Sequence, residues 1–199
     1  MRLSTEVHVM PFRDPFRIAR AEDDRAATTV VVELEMDGGL AGVGEAFPTT
    51  YYGETPATVA AVLPHLAASL EGIGPAPTSV GEARTWLADA DARMAAAIGG
   101  HGGAKAALDI ALHDLAGRAL GIPVWELIGT SPDLPPTDFT LGIDAPAVVA
   151  ERARRAARFP ALKIKVGGPA DLETLQAVRS VYAGPIRVDA NTGWEREQG

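Results

Sequence analysis

The sequence predicts two parts of different fold class, an α+β domain over residues 1–131 and a parallel βα segment over 132–199. Three observations carry this. Strand-like alternation marks the first 46 residues and helical periodicity dominates 56–120, and strands followed by helices build α+β domains. The proline-rich run Ser131-Pro-Asp-Leu-Pro-Pro136 then interrupts the pattern as a linker. Beyond it, short apolar runs alternate with helical ones, which implies parallel strands joined by right-handed crossovers, in a barrel or a doubly wound sheet.

Residues 2–12 and Thr28-Thr-Val-Val-Val-Glu-Leu-Glu-Met36 read as strands, and Asp37-Gly-Gly39 turns the chain into a third strand, Leu40–Ala46. Between the first two, the charged stretch 18–26 is expected to be an exposed loop. Helices are expected at 56–71, 79–98 and 104–120, the last stopped by Gly121-Ile-Pro123, with a short helical turn at 124–128. After the linker the order is strand 138–143, helix 146–158, strand 161–166, helix 170–182 and strand 185–189. The segment from 132 to 199 falls far short of the about 250 residues of an eight-stranded barrel. Three parallel strands also leave long unpaired edges, so a fragment, or strands supplied from elsewhere, is the expectation.

With 47% hydrophobic residues the chain should fold. A net charge of −8, with no basic stripe, argues against a nucleic-acid partner. The absence of cysteine excludes disulfides and thiolate metal sites and fits a reducing cytoplasm. No stretch approaches ~18 unbroken apolar residues and no signal-peptide core opens the chain, so a soluble, cytoplasmic protein without a membrane partner is expected.

Several familiar motifs fail on inspection. Gly99-Gly-His-Gly-Gly-Ala-Lys105 has alanines at 104 and 106 where a phosphate loop needs glycine before its lysine and Ser or Thr after it. Asp109 and His113, four apart on a helix, lack a third ligand nearby, and an interhelix hydrogen bond is expected instead. His8, His65 and His101 are solitary, and no GxSxG, HExxH or dinucleotide fingerprint is present.

The chemistry concentrates in Ala161-Leu-Lys-Ile-Lys-Val-Gly167 and Pro185-Ile-Arg-Val-Asp-Ala-Asn191. Side chains two apart on a strand share a face, so Lys163 and Lys165 point one way while Leu162, Ile164 and Val166 cover the other. Burying an unpaired ammonium group costs several kcal/mol, so the pair faces either solvent at a strand end or a polar site, and the polar site is favoured. In both candidate folds ligands bind at the carboxyl ends of the strands, where Lys165, Asp189 and Asn191 converge. Asp189 alone could cap the following helix. Beside inward lysines it suits a hard divalent cation with oxygen ligands, and the set suits abstraction of a proton next to a carboxylate.

On these residues the chain resembles the enolase superfamily, in its mandelate racemase and muconate-lactonising branch, and most of all the dipeptide epimerases. The resemblance rests on Gly42-Val-Gly-Glu45, Tyr52-Gly-Glu54, the helix Ala104–Gly117, Pro123-Val-Trp-Glu-Leu-Ile-Gly129, the Lys-x-Lys strand, and Asp189-Ala-Asn191 followed by Gly193-Trp194. It implies an N-terminal capping domain, 1–131, on a modified (β/α) TIM-like barrel, of which 132–199 supplies the first βα units and stops after the third strand. By this resemblance Lys165 is an acid/base lysine for the α-proton and Lys163 contacts the substrate carboxylate. Asp189 is then the first Mg²⁺ ligand, and the metal stabilises an ene-diolate. Arg25, Tyr52, Thr140 and Asn191 are assigned to substrate binding, Arg25 toward a distal carboxylate. The Tyr51-Tyr52 pair either closes a lid or simply packs.

The expected activity is an Mg²⁺-dependent epimerase (an isomerase) of a dipeptide such as Ala-Glu, a homo-oligomer when complete. These 199 residues should be inactive alone, because the further carboxylate ligands and the opposite lysine are not in them. A muconate-type cycloisomerase and an o-succinylbenzoate-type synthase use the same Lys-x-Lys. From another class, a catalytically dead binding or assembly module stays open.

Overall fold

A computed structural model describes residues 1–19 and 21–195, with the backbone alone over 21–24. In chain order it runs β1 (Arg2–Ile18), β2 (Ala21–Glu35), β3 (Ala41–Ala46), a 3₁₀ turn (Thr50–Tyr52), α1 (Pro56–Ser69), α2 (Val80–Ala97), α3 (Gly102–Leu120) and α4 (Val124–Leu127). There follow β4 (Asp138–Leu141), α5 (Pro146–Arg155), β5 (Ala161–Lys165), α6 (Asp171–Arg179) and β6 (Ile186–Asp189). The chain divides into two compact units, one holding Met1–Met10 with Ala27–Pro132, the other holding Pro11–Ala26 with the residues from Asp133 onward.

In the first unit the sheet order is β1-β2-β3, and β2 pairs antiparallel with β3 from Val30↔Ala46 to Glu35↔Ala41. Alternation sends Val30, Val32 and Leu34 inward, where they meet Leu63 and Leu66 of α1, Met94 of α2 and Leu108, Leu112 and Leu115 of α3. The Gly42-Val-Gly44 motif has a steric cause. A Cβ on Gly42 would lie 2.1 Å from the Ala111 carbonyl oxygen, and one on Gly44 would lie 1.9 Å from that of Ala107, so β3 rests directly on the backbone of α3. Between the two glycines, the Val43 N–H donates to Asp114 Oδ2 of α3 at 2.9 Å.

Helix ends follow from local chemistry. Thr55 and Thr58 form a reciprocal capping box at α1, with Pro56 in its first turn, and Ser79 caps α2 by accepting from the Glu82 N–H at 3.2 Å. At α3 the N-cap is His101, which has a left-handed φ of 54° and no side-chain cap bond. Glu54 takes that role from outside the helix, accepting from the Gly103 N–H at 2.9 and 3.1 Å, which gives Tyr52-Gly-Glu54 a structural reason. His113 bonds within its own helix rather than between helices, with Nδ1 2.9 Å from the Asp109 carbonyl oxygen.

The charged stretch 18–26 is not a loop: β1 reaches Ile18 and β2 begins at Ala21, while residue 20 lies outside the described residues. β1 runs through Pro11 and Pro15. Because β1 is the edge strand, two positions four apart both face its outer side, where a missing N–H costs no ladder bond. The carbonyl of Arg17, on that same outer side, accepts from the Ile143 N–H at 2.9 Å.

In the second unit β4, β5 and β6 form a parallel sheet in that order. This is the arrangement of the opening βα units of a (β/α) barrel. Leu141, Leu162, Ile164 and Val166 pack with Val149 and Ala153 of α5 and Val178 of α6, so one face of the sheet is apolar and covered by helices. The segment 11–26 joins this unit through close backbone approach and charge. A Cβ on Gly142 would meet the Arg17 nitrogen at 2.9 Å, and Arg155 Nη2 donates to Asp14 Oδ1 at 2.9 Å. No helix among the described residues is long and apolar enough to cross a membrane.

Candidate active site

The polar face of the second sheet is set by register. Thr140 pairs with Lys163, Lys163 with Arg187, and Lys165 with Asp189, and paired residues of parallel strands share a face. Lys163 Nζ and Lys165 Nζ each lie 2.8 Å from Asp189 Oδ2. Lys165 Nζ also donates to Asn191 Oδ1 at 2.7 Å, and the Asn191 N–H donates to Asp189 Oδ1 at 2.9 Å. The Lys165 side chain is 9% exposed against 33% for Lys163, so the two lysines are distinguished by burial. The inward lysines are thus partnered, as the cost of burying a charge demands.

The turn after β6 holds this geometry. Asn191 and Thr192 have φ of 48° and 61°, a region open to Asn and strained for a β-branched residue, and the Gly193 N–H donates back to the Ala190 carbonyl at 2.7 Å. A cavity of about 590 Å³ opens beside Lys165, lined among others by Arg17, Ile18, Asp144, Gly168 and Asp171.

Hydrogen bonds from Lys163, then from Lys165 and the Asn191 N–H, hold the Asp189 carboxyl well below the usual carboxylate range. A carboxyl depressed on folding contributes stability that is present above its unfolded value, near about 3.9, and lost as pH falls through its folded value. The second unit should therefore keep this contribution at neutral pH and lose it progressively in acid. Acid unfolding followed by circular dichroism should show a smaller pH dependence in Asp189→Asn, and an unchanged profile would show that the pairing contributes nothing.

Of the residues singled out in the sequence, Lys163, Lys165, Asp189 and Asn191 form one hydrogen-bonded cluster. Thr140 lies beside Lys163 on the same face of β4. Arg25 is an exposed residue of β2 that belongs to the second unit. Tyr52 belongs to the first unit, exposed, with its ring edge-to-face on Tyr51 at 5.0 Å. The sequence reading passed over Arg187, whose Nη1 donates to Asp138 Oδ2 at 2.7 Å on this same polar face. The alternation that paired the lysines could have found it, because Arg187 stands two residues before Asp189.

Among the described residues no group of three or more histidine, aspartate or glutamate side chains could hold a metal ion. Asp189 is an oxygen donor of the kind Mg²⁺ prefers, but it is one carboxylate, and its Oδ2 already accepts from two ammonium groups. The donor set fits Mg²⁺ in kind and supplies one part of a site.

Residues 2–129 match the family model for the mandelate racemase/muconate lactonizing enzyme N-terminal domain. The chain belongs to this family. Residues 147–199 match the enolase C-terminal domain-like model, which places the Lys-x-Lys strand and Asp189 in that second domain type. Among relatives in this family, an L-Ala-D/L-Glu epimerase of Bacteroides thetaiotaomicron is 38% identical over 171 residues, covering 85% of this chain and 42% of that protein. A chloromuconate cycloisomerase of Cupriavidus necator is 31% identical over 211 residues, covering 98% of this chain and 53% of that protein. A dipeptide epimerase of Enterococcus faecalis, solved with Mg and the dipeptide L-Leu-L-Tyr, is 30% identical and superposes with a TM-score of 0.87, covering 98% of this chain and 55% of that one. The chain spans about half the length of the family members it matches.

Proposed function

We propose that the protein carrying this chain abstracts the α-proton of a carboxylate substrate, and that the substrate is a dipeptide. The observation that carries this reading is the convergence of Lys163 and Lys165 on Asp189, with Lys165 the more buried and doubly hydrogen-bonded, at the carboxyl ends of β5 and β6. In this reading Lys165, as the neutral amine, takes the proton from the substrate α-carbon and becomes the ammonium, and the Asn191 amide oxygen, accepting from Nζ, orients it. Lys163, more exposed on the same face, binds the substrate carboxylate, where negative charge accumulates as the proton leaves. Thr140, Arg25 and Tyr52 complete the substrate contacts, with residues 1–131 as the capping domain and 132–199 as the opening of the barrel. Asp189 would be one ligand of Mg²⁺, which when bound supplies positive charge to the substrate carboxylate. An epimerase must also return a proton to the opposite face, and β4–β6 hold no second lysine pair for that step, so the activity belongs to the whole protein.

The relative acting on Ala-Glu is 38% identical and the cycloisomerase 31%, and this difference favours a dipeptide over a muconate. The net charge of −8 agrees with a small-molecule partner rather than a nucleic acid. The test is to incubate the native protein with L-Ala-L-Glu and a panel of dipeptides in D₂O with Mg²⁺ and to follow loss of the α-proton signal by NMR. Exchange with at least one dipeptide is expected. Exchange with none, together with lactonisation of a muconate, would replace the dipeptide by the muconate. No turnover of either would sink the catalytic reading.

A further inference from the structure

We infer that Asp171 is a positioning residue that ties together the two loops carrying the ends of β5 and β6, and thereby sets the direction of the Lys165 ammonium group. The inference rests on the α-proton abstraction proposed above for its catalytic meaning, but its structural content stands apart from it. Asp171 begins α6, whose N-cap, Ala170, has no side-chain cap bond. Its carboxylate does not serve the first turn of its own helix in the usual way. Oδ2 accepts from the Gly167 N–H at 2.8 Å and Oδ1 from the Gly168 N–H at 3.0 Å, both in the loop that follows β5. Oδ2 also accepts from the Trp194 indole Nε1–H at 3.0 Å, in the turn that follows β6.

Three N–H donors from two loops thus meet one carboxylate. Two consecutive glycine N–H groups before a helix would otherwise form an anion cradle. Here the protein's own carboxylate fills it, so that cradle is not where a substrate carboxylate binds. The tied loops bracket the candidate site closely: Gly167 stands two residues after Lys165, and Trp194 three residues after Asn191. Asn191 sits in the left-handed turn that also holds Thr192, a conformation that persists only when its surroundings impose it. Trp194 anchors the far end of that turn and Gly167 the end of the lysine strand, so Asp171 fixes the separation between Lys165 Nζ and its 2.7 Å acceptor, Asn191 Oδ1. Charge-assisted bonds of this kind are stronger than neutral ones, and outer partners of a site typically cost about 10–100-fold in activity when removed.

The test compares Asp171→Asn and Trp194→Phe with wild type in the native protein. Trp194→Phe keeps a ring and removes only the indole donor. Three quantities are measured: thermal unfolding, kcat and KM for α-proton exchange, and the ¹³Cε resonance of Lys165 in ¹³C-lysine-labelled protein, assigned with Lys165→Arg. Both substitutions are expected to move the Lys165 resonance and to lower kcat by about 10–100-fold with KM within about two-fold, while Trp194→Phe leaves the melting temperature near that of wild type. An unmoved Lys165 resonance in folded Trp194→Phe overturns the inference, whatever the activity. If wild type shows no exchange with any substrate, the functional reading fails while the resonance still decides the role of Asp171.

Discussion

Replacing Lys165 by alanine is expected to lower α-proton exchange by the native protein by about 10²–10⁴-fold, the usual contribution of a positioned acid or base. Lys165 is the less exposed of the two lysines and makes two directed bonds, 2.8 Å from Asp189 Oδ2 and 2.7 Å from Asn191 Oδ1. Lys163, one third exposed and bonded to Asp189 alone among these, is the proposed carboxylate-binding group. The two substitutions should therefore separate. Lys163→Ala is expected to raise KM more than it lowers kcat, and Lys165→Ala to remove kcat, both read from initial rates of deuterium incorporation at varied dipeptide concentration. Wild-type exchange in Lys165→Ala would dismiss this lysine as the base. Substrate binding, followed by calorimetry, should survive in Lys165→Ala, since Lys163 and Asp189 keep their direct contact.

Gly44→Ala is expected to be the most damaging single methyl in the first unit. The new Cβ would stand 1.9 Å from the Ala107 oxygen and 2.8 Å from the Ala111 nitrogen, both backbone atoms of α3 that cannot rotate away. Overpacking usually costs about 1–3 kcal/mol, and a clash of backbone against backbone belongs at or above the top of that range. Urea unfolding of the native protein should show the transition of this unit shifted by about 3 kcal/mol or more, or lost. Gly81→Ala is the control: it lies in α2 with nothing within 4 Å of its Cβ, and should be neutral or slightly stabilising. A Gly44→Ala protein as stable as wild type would mean that β3 does not rest on α3 as described.

Element type was legible where periodicity was strong. The predicted helix at 104–120 is observed at Gly102–Leu120, and the strand predicted at 161–166 is observed at Ala161–Lys165. The lysine face was legible because alternation on a strand is a rule of backbone geometry, independent of what surrounds it. The stretch 18–26 was misread because a run of charges is an ordinary sign of an exposed loop. The stretch instead closes β1 and opens β2, and β3 pairs with β2 only from Val30 to Glu35, so residues 21–26 lie beyond that ladder, where a charged sequence displaces no β3 pairing. Glu54 was legible only as part of a motif, because its partner, the Gly103 N–H, is 49 residues away.

By itself the sequence determined the class of each part, the order of its strands and helices, the shared face of Lys163 and Lys165, and the family that Asp189-Ala-Asn191 and Gly193-Trp194 point to. These follow from local periodicity and from residue types that chemistry restricts. Only the tertiary structure decided which groups meet: both lysines on one oxygen of Asp189, Arg187 on Asp138, and Asp171 on two loops at once. Those partners are set by the register of parallel strands and the close approach of backbones. Both depend on residues far apart in the chain, so no window of sequence contains them.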